Sequence, residues 1–508
     1  MTVALVESLP QSAYSATQVL ENELIVANKL GINLYELMER AGRAVFEHIT
    51  RHFPEVDRIC VLCGKGNNGG DGFVIARLAQ QQGWQVTVVT FCETSAIKGD
   101  ALTAFEKLLE HNVSIVTATE APLPDDFIEQ LQVECVVDCL FGIGFKGELG
   151  GNYANCASQV YQLEIPVISV DVPSGLNATT GAPSKACIKA THTVTFITPK
   201  QGLVTGNALH YTGKIFLADL GVGQLFQTIT NSNVHIESEK TITRHHKRHV
   251  NSHKGTVGLV LAVGGNIGMP GAIRLCGEAA LRSGAGLVAV HCHRDNRDII
   301  ASGRPELMFS GVGSDDVIKE ELLDRASVLV CGPGLGRDKW GEELFKRVLN
   351  QDKPLVMDAD ALHFLSVLQE IQPRSDWVLT PHAGEAAKLL GVSISDIEND
   401  RYQAVKNIAV KYGGLCVLKG AGSLISDGSN VWVNTSGNPG MASGGMGDVL
   451  SGTIAALMVQ MPNLCEAIRL AVYVHGKAAD RVAARHGQVG ILASDLFPDI
   501  QDLLNEEA

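Results

Sequence analysis

Short unbroken apolar runs alternate along the chain with longer segments whose apolar positions recur at helical spacing. In the first half RICVLCG reads as a strand, FVIARLAQQQG as a helix and VTVVTFC as a strand. DALTAFEKLLEH (helix), VECVVDCLFG (strand) and IPVISVDVPSG (strand) continue the alternation, and THTVTFITP and GKIFLADLGV close it. A strand apolar at nearly every position has both faces covered, the condition of a parallel sheet flanked by helices. The alternation resumes at TVGLVLAVGGN. It runs through LVAVHCH, SVLVCGPG, PLVMDADAL, DWVLTPH, LCVLKGAG and NVWVNTS, with GAIRLCGEAALRSG, WGEELFKRVLN and NDRYQAVKNIAVKYG as helices between them. From Gly223 to Ser252 the chain is polar and lacks periodicity, which reads as a linker. The basic cluster Arg244-His245-His246-Lys247-Arg248-His249 inside it reads as a solvated charge run, ahead of a phosphate or metal site. The pattern predicts an α/β protein of two domains, residues 1–225 and 226–508, and 508 residues are indeed too many for one ordinary core.

Composition narrows the function classes. Hydrophobic residues make up 45% and charged residues 19%, a globular balance. Asp and Glu total 55 against 41 Lys and Arg, a net charge of −14, which argues against a dedicated nucleic-acid binder. The start, MTVALVESLPQSAYSA, places Glu7 in its only apolar stretch and has no basic n-region, so it does not read as a signal peptide. No apolar run approaches the ~18 residues of a membrane span. A soluble, cytoplasmic protein is expected. The 12 cysteines are scattered through apolar segments and read as buried thiols. Cys60 and Cys63 are included, because in a strand they point to opposite faces. Glycine is abundant, with 53 residues, which suggests tight turns and backbone-lined ligand sites.

The segment Gly64-Lys65-Gly66-Asn67-Asn68-Gly69-Gly70-Asp71-Gly72 is expected as a loop between strand and helix. Gly64, Gly66 and Gly69 spell the dinucleotide fingerprint, with Glu93 near the end of the next strand. Asp71 would set a carboxylate beside any phosphate there. Amides and an acid suit a cation or sugar hydroxyls better. Asp138 and Asp171 end two further strands, and Ser174 follows the second. Ligands gather at the carboxyl ends of parallel strands, so Asp71, Asp138 and Asp171 are expected around one crevice, with Asn68, Asp138 and Ser174 as oxygen donors for a hard cation.

In the second half, Asn434 to Asp448 is rich in glycine and small residues and leads into the apolar helix VLSGTIAALM. Free N–H groups at such a helix start suit a transferring phosphoryl group. Asp448 is either an N-cap or a base for a substrate hydroxyl, and Gly444-Gly445-Met446-Gly447 before it favours the base. Lys419-Gly420-Ala421-Gly422-Ser423 after a strand lets a nucleotide approach the backbone. Asp358 and Asp360 are candidates for a metal or a sugar hydroxyl, and His382 for substrate.

These residues carry a resemblance. NNGGDGFVIAR, DCLFGIGFKGE and VDVPSGLN, with the early helix NKLGINLYELMERAG, resemble the N-terminal domain of the bifunctional NAD(P)H-hydrate repair enzymes. That domain is a Rossmann-like three-layer αβα unit that epimerises C6 of hydrated NADH and NADPH. The resemblance implies hydrate contacts from Asn67, Asn68, Gly69, Gly70 and Asp71, and from Gly142, Ile143, Gly144, Phe145, Lys146, Gly147 and Glu148. It also implies a potassium ion on Asn68, Asp138 and Ser174, and Asp171 against the reacting ring, where it is the expected acid and base. SHKGTVGLVLAVGGN, PGAIRLCGEAALRSGAG, GPGLG, DADAL, TPHAGE, KGAG and NPGMASGGMGD resemble, in order, the same family's C-terminal dehydratase domain, a ribokinase-like αβα unit. The implied contacts are Lys419, Gly420, Ala421, Gly422, Ser423 and Gly447 with ADP, and Ala272, Gly336, His382 and Asp448 with the S epimer. ADP would be the cosubstrate, Mg²⁺ would bridge its phosphates, and AMP and phosphate would be released. The partners implied are NADHX, NADPHX and ADP, with no nucleic acid and no membrane, in a homo-oligomer. Ser423, Ser443 and Met446 stand where the family commonly has Thr. The competing enzyme reading is a ribokinase-like small-molecule kinase with an N-terminal ligand-binding or scaffold module.

Overall fold

Every residue from Ile59 to Cys63 is fully buried, and the strand Arg58–Cys63 lies between parallel neighbours, Gln85–Thr90 and Cys135–Cys139. Its side chains divide by alternation. Ile59, Val61 and Cys63 join a core with Ile49, Phe73 and Leu108, whereas Cys60 and Leu62 join Cys156 and Val160 on the other face. Helices Leu34–His52, Asn67–Gln81 and Gly99–Leu109 supply the first face, and Gly151–Gln162 the second. This is the covered parallel sheet that the unbroken apolar runs predict.

The computed structural model describes residues 5–6, 9–119, 122–243, 248–310 and 318–506. Arg244 to Lys247 of the basic cluster lie outside the described residues. The chain divides into units Met1–Val234 and His235–Ala508. The first has the strand order Leu5–Val6, Lys214–Ala218, His192–Phe196, Val167–Val170, Cys135–Cys139, Arg58–Cys63, Gln85–Thr90, Ser114–Thr117. Pairing is parallel except between Leu5–Val6 and Lys214–Ala218. The order reverses between Arg58–Cys63 and Cys135–Cys139, so a crevice opens at their carboxyl ends.

Local structure departs from the sequence reading in three places. Helix Asn67–Gln81 already begins at Asn67, so Asn67 to Gly72 are its first turns and not a loop. An added Cβ at Gly69 would come within 2.0 Å of the Gly64 carbonyl oxygen, so this start can press onto the preceding turn only with glycine there. NKLGINLYELMERAG is not one helix. Ala16–Lys29 ends, Gly31 takes φ +69, and Asn33 caps Leu34–His52 by accepting from the Glu36 N–H at 2.8 Å. The stretch read as linker contains helix Gly223–Ile229, with Phe226 fully buried, and strand Val234–Glu237. Both are too short for their periodicity to show.

In the second unit the order is Met308–Ser310, Leu287–His291, Leu259–Val263, Val328–Cys331, Leu355–Met357, Trp377–Leu379, Leu415–Leu418, Leu424–Ser426, Val431–Asn434. Pairing is parallel up to Leu415–Leu418 and antiparallel beyond it. Helix Met446–Gln460 runs through the core and touches helix Pro270–Arg282 backbone to backbone. A Cβ at Gly452 would stand 2.1 Å from the Cys276 carbonyl oxygen. The expected α/β class with parallel sheets is what the chain adopts. No helix among the described residues is long and apolar enough to cross a membrane.

Candidate active sites

In the first unit the strand ends open on a cavity of about 690 Å³ lined by Asn67, Asn68, Asp71, Asp171, Lys200 and the segment from Phe141 to Lys146. Asp138 lies fully buried below it. Its Oδ1 accepts from the Leu140 N–H (3.3 Å) and the Ser174 hydroxyl (2.6 Å), and its Oδ2 from the Ser169 hydroxyl (2.8 Å) and the Ser174 N–H (2.9 Å). Burial pushes this carboxyl up and the hydrogen bonds oppose the push. Asn68 is 9% exposed, and neither polar atom of its amide has a hydrogen-bond partner among the described residues.

Asp171 follows strand Val167–Val170 with φ +66, a left-handed conformation that an L side chain adopts at a cost. Ile197, past the neighbouring strand, has φ +65. Oδ1 of Asp171 accepts from the Lys200 ammonium (2.5 Å), the Phe196 N–H (3.1 Å) and the Thr195 hydroxyl (3.2 Å). Lys200 is 1% exposed and spends its other protons on the Phe196 carbonyl (2.7 Å) and Thr195 Oγ1 (3.1 Å). Asp71 is 9% exposed and makes no side-chain hydrogen bond to any described residue. Burial pushes its carboxyl well up, and Asp171 and Glu23 push the same way against Lys200. Glu23, on helix Ala16–Lys29, is raised by burial and by Asp171.

In the second unit the N-cap of Met446–Gln460 is Gly445 at φ +89, without a side-chain cap. The N-cap alternative for Asp448 therefore falls. Asp448 stands in the first turn and makes no hydrogen bond to a described residue. Burial pushes its carboxyl up to about 7, Asp358 adds to the push and Lys419 opposes it. The Lys419 ammonium lies 2.6 Å from Asp358 Oδ1 and 3.9 Å from Glu385 Oε2, and Asp358 Oδ2 accepts from the Ser451 hydroxyl at 3.0 Å. A Cβ on Gly447 would stand 3.3 Å from both Asp358 Oδ2 and Lys419 Nζ. Burial raises Asp358, yet Lys419 carries it below the usual carboxylate range. The arrangement is an anion-seeking helix start with an unpartnered carboxyl at its mouth, above a buried ion pair.

Around it, Gly336 donates to Asp360 Oδ2 at 3.0 Å, and a Cβ at Gly334 would stand 3.2 Å from Ala272 Cβ. His382 caps helix Ala383–Leu390. Its Nδ1 accepts from the Gly384 (3.0 Å) and Glu385 (3.3 Å) N–H groups, which leaves the proton of the neutral ring on the exposed Nε2. Ser423 closes its own turn, donating to the Gly420 carbonyl at 2.9 Å.

The family described as YjeF-related protein N-terminus matches residues 34–202, and the family described as NAD(P)H-hydrate dehydratase matches residues 260–502. The bifunctional NAD(P)H-hydrate repair enzyme of Coxiella burnetii is 42% identical over 97% of this chain and 99% of its own length. The enzyme of the same name from Escherichia coli is 40% identical over 98% of this chain and 95% of its own. The chain belongs to the family of bifunctional NAD(P)H-hydrate repair enzymes. Among solved structures, a ribokinase-like superfamily protein from Enterococcus faecalis is 30% identical, with TM-score 0.49, over 54% of this chain and 97% of that one. An ADP/ATP-dependent NAD(P)H-hydrate dehydratase from Bacillus subtilis, co-crystallised with ATP/Mg²⁺, is 28% identical, with TM-score 0.45, over 51% of this chain and 92% of that one.

Set against this family, the structure gathers Asn67, Asn68, Asp71, Asp171 and the segment from Gly142 to Lys146 around one cavity, which Glu148 also lines. Asp138 and Ser174 are bonded to each other beneath it. Lys419, Gly447 and Asp448 meet, whereas Gly420 to Ser423 form a partly exposed turn. Three residues escaped the sequence reading. Lys200 sits in a loop and Glu23 on an amphipathic helix, where charged residues are ordinarily solvated. Arg401 is 2% exposed and donates to the Leu418 (3.3 Å) and Lys419 (3.2 Å) carbonyls, propping the turn from beneath. No single-residue signal marks any of them, because their roles depend on long-range partners.

Proposed function

We propose that the chain repairs hydrated nicotinamide cofactors. The first unit interconverts the R and S epimers of NADHX and NADPHX at C6. The second dehydrates the S epimer at the expense of ADP and releases AMP and phosphate. The observation that carries this reading is the match to repair enzymes over 97% of the chain, joined to a carboxyl at each site, Asp71 and Asp448, that has no hydrogen-bond partner among the described residues.

C6 of the hydrate is a hemiaminal carbon beside the ring nitrogen. When its hydroxyl leaves, the nitrogen lone pair stabilises the cation, and water can return to either face. Asp171 exchanges the proton, and its hydrogen bond with Lys200, which would orient it, supports that role. In the second unit hydroxide is a poor leaving group. Asp448 takes the C6 hydroxyl proton as that oxygen attacks the terminal phosphorus of ADP, and the N–H groups of the first turn receive the charge on the phosphoryl oxygens. Phosphate then leaves with the C6–O electrons, and loss of a C5 proton restores the dihydropyridine. Ala272, Gly336 and His382 are assigned to the hydrate, and Lys419 to Ser423 with Gly447 to ADP. With its ammonium held by Asp358, Lys419 acts from beneath.

A Mg²⁺ ion would be carried on the nucleotide phosphates, whose charge it would offset. Asn68, Asp138 and Ser174 would hold a potassium ion that fixes positive charge under the cavity, and the unpartnered Asn68 amide oxygen fits a cation there. Potassium in place of choline is expected to raise the unfolding temperature of the wild type, and Asn68→Ala to remove that increment, as differential scanning fluorimetry would record.

A mixture of R and S hydrates, followed by chromatography with and without ADP, tests the whole reading. Both epimers should disappear with ADP, and without it they should only equilibrate. Dehydration should depend on pH in a defined direction. The base must be ionised, and burial has pushed it to about 7, so kcat/KM should rise with pH through that value. A rate flat from pH 6 to 8 would remove Asp448 from the role. The reading places the reaction in the cytoplasm and takes the chain as a homo-oligomer, which analytical ultracentrifugation examines.

A further inference from the structure

We propose that Asp71 is a second catalytic carboxyl of the first unit. It protonates the departing C6 hydroxyl on one face of the ring, while Asp171, held by Lys200, takes the proton of the water arriving on the other. The inference rests on the epimerase reading of this unit and deepens it.

Both carboxyls line the same cavity, from different elements: Asp71 from the start of helix Asn67–Gln81, and Asp171 from the residue after strand Val167–Val170. Their surroundings are opposite. Asp171 is ion-paired with a buried ammonium and accepts further hydrogen bonds on Oδ1. Asp71 is removed from water to 9% exposure and has no hydrogen-bonding partner among the described residues. Isolation of this kind favours the protonated form of a carboxyl, and burial together with the charges of Asp171 and Glu23 pushes Asp71 well above the ordinary range, against Lys200. Two carboxyls in one cavity, one isolated and the other ion-paired with a buried ammonium, are equipped as an acid and a base. The plainer alternative makes Asp71 a hydrogen-bond acceptor for a sugar hydroxyl. A side-chain amide would fill that role without the cost of burying an unpaired acid.

The chemistry needs a group on each face, because a planar cation separates the outgoing oxygen from the incoming one. The C6–O bond breaks with its electrons on oxygen, Asp71 delivers its proton, and water departs as the ring nitrogen forms C6=N⁺. Water then bonds to C6 from the opposite face and its proton passes to Asp171. The end state has Asp71 ionised and Asp171 protonated, which is the state that runs the reverse epimerisation. Proton exchange with solvent resets the pair.

The test uses the full-length protein and purified R and S NADHX, with chromatography as the readout and circular dichroism as the check on folding. Asp71→Asn should lower kcat for epimerisation about 10²–10⁴-fold, in both directions, with KM little changed. Asp71→Ala should show the same loss, and added formate should restore part of kcat by occupying the vacated space, where the same burial favours its uptake of a proton that it can then deliver. Near-wild-type kcat in Asp71→Asn, a loss confined to KM, or a folded Asp71→Ala protein that formate leaves inactive would each overturn the proposal. If the wild type itself leaves the epimers unequilibrated, the epimerase reading fails instead.

Discussion

Asp448→Asn is expected to abolish ADP-dependent formation of NADH from the S hydrate, a fall of about 10²–10⁴-fold in kcat, while ADP binding persists. The structure makes this substitution a clean one. Gly445 provides the cap, so the helix loses no capping hydrogen bond when Asp448 becomes Asn. Asp448 has no hydrogen-bonding partner among the described residues to strand, and the amide occupies nearly the same volume. The carboxyl is pushed up to about 7 chiefly by burial, so removing it relieves desolvation instead of creating it. What disappears is the ability to accept the C6 hydroxyl proton. Recovery of the near-ultraviolet band of dihydronicotinamide measures turnover, and calorimetry measures ADP binding. Turnover close to wild type would mean that the substrate hydroxyl loses its proton elsewhere. Loss of ADP binding as well would mean that Asp448 holds the helix start and not the proton.

The sheets were legible because buried parallel strands must be apolar on both faces, as Ile59 to Cys63 and Val328 to Cys331 are. Met308–Ser310 and Leu424–Ser426 left no such trace, since each is short and pairs next to turns. The helix start at Asn67 was misplaced because glycine has low helix propensity. Packing overrides that propensity where Gly69 and Gly72 meet backbone and the Cys63 thiol. The acids were legible because they end strands. Lys200 was not, because its meaning comes from Asp171, which lies far away along the chain. The same holds for Arg401, whose partners are carbonyls of a turn that the sequence could only mark as flexible glycine.

The pairing of Asp171 with Lys200 carries the second large expectation, and here activity and stability separate. Asp171→Asn should remove epimerisation, about 10²–10⁴-fold, because the carboxylate assigned to take the proton is gone. It should also destabilise the first unit by about 3–5 kcal/mol, because an ammonium 1% exposed loses its countercharge. Lys200→Met should cost a similar amount for the mirror reason, since Asp171 then keeps only the Thr195 and Phe196 donors. The double variant Asp171→Asn with Lys200→Met buries no unpaired charge. It should therefore recover most of the lost stability, a coupling that a double-mutant cycle in urea reads directly. Epimerisation should stay absent in the double variant, because neutralising the pair repairs the fold and not the chemistry. Additive losses in the cycle would show that the two groups do not act as a buried pair. Restored epimerisation in the double variant would show that proton transfer never required the Asp171 carboxylate.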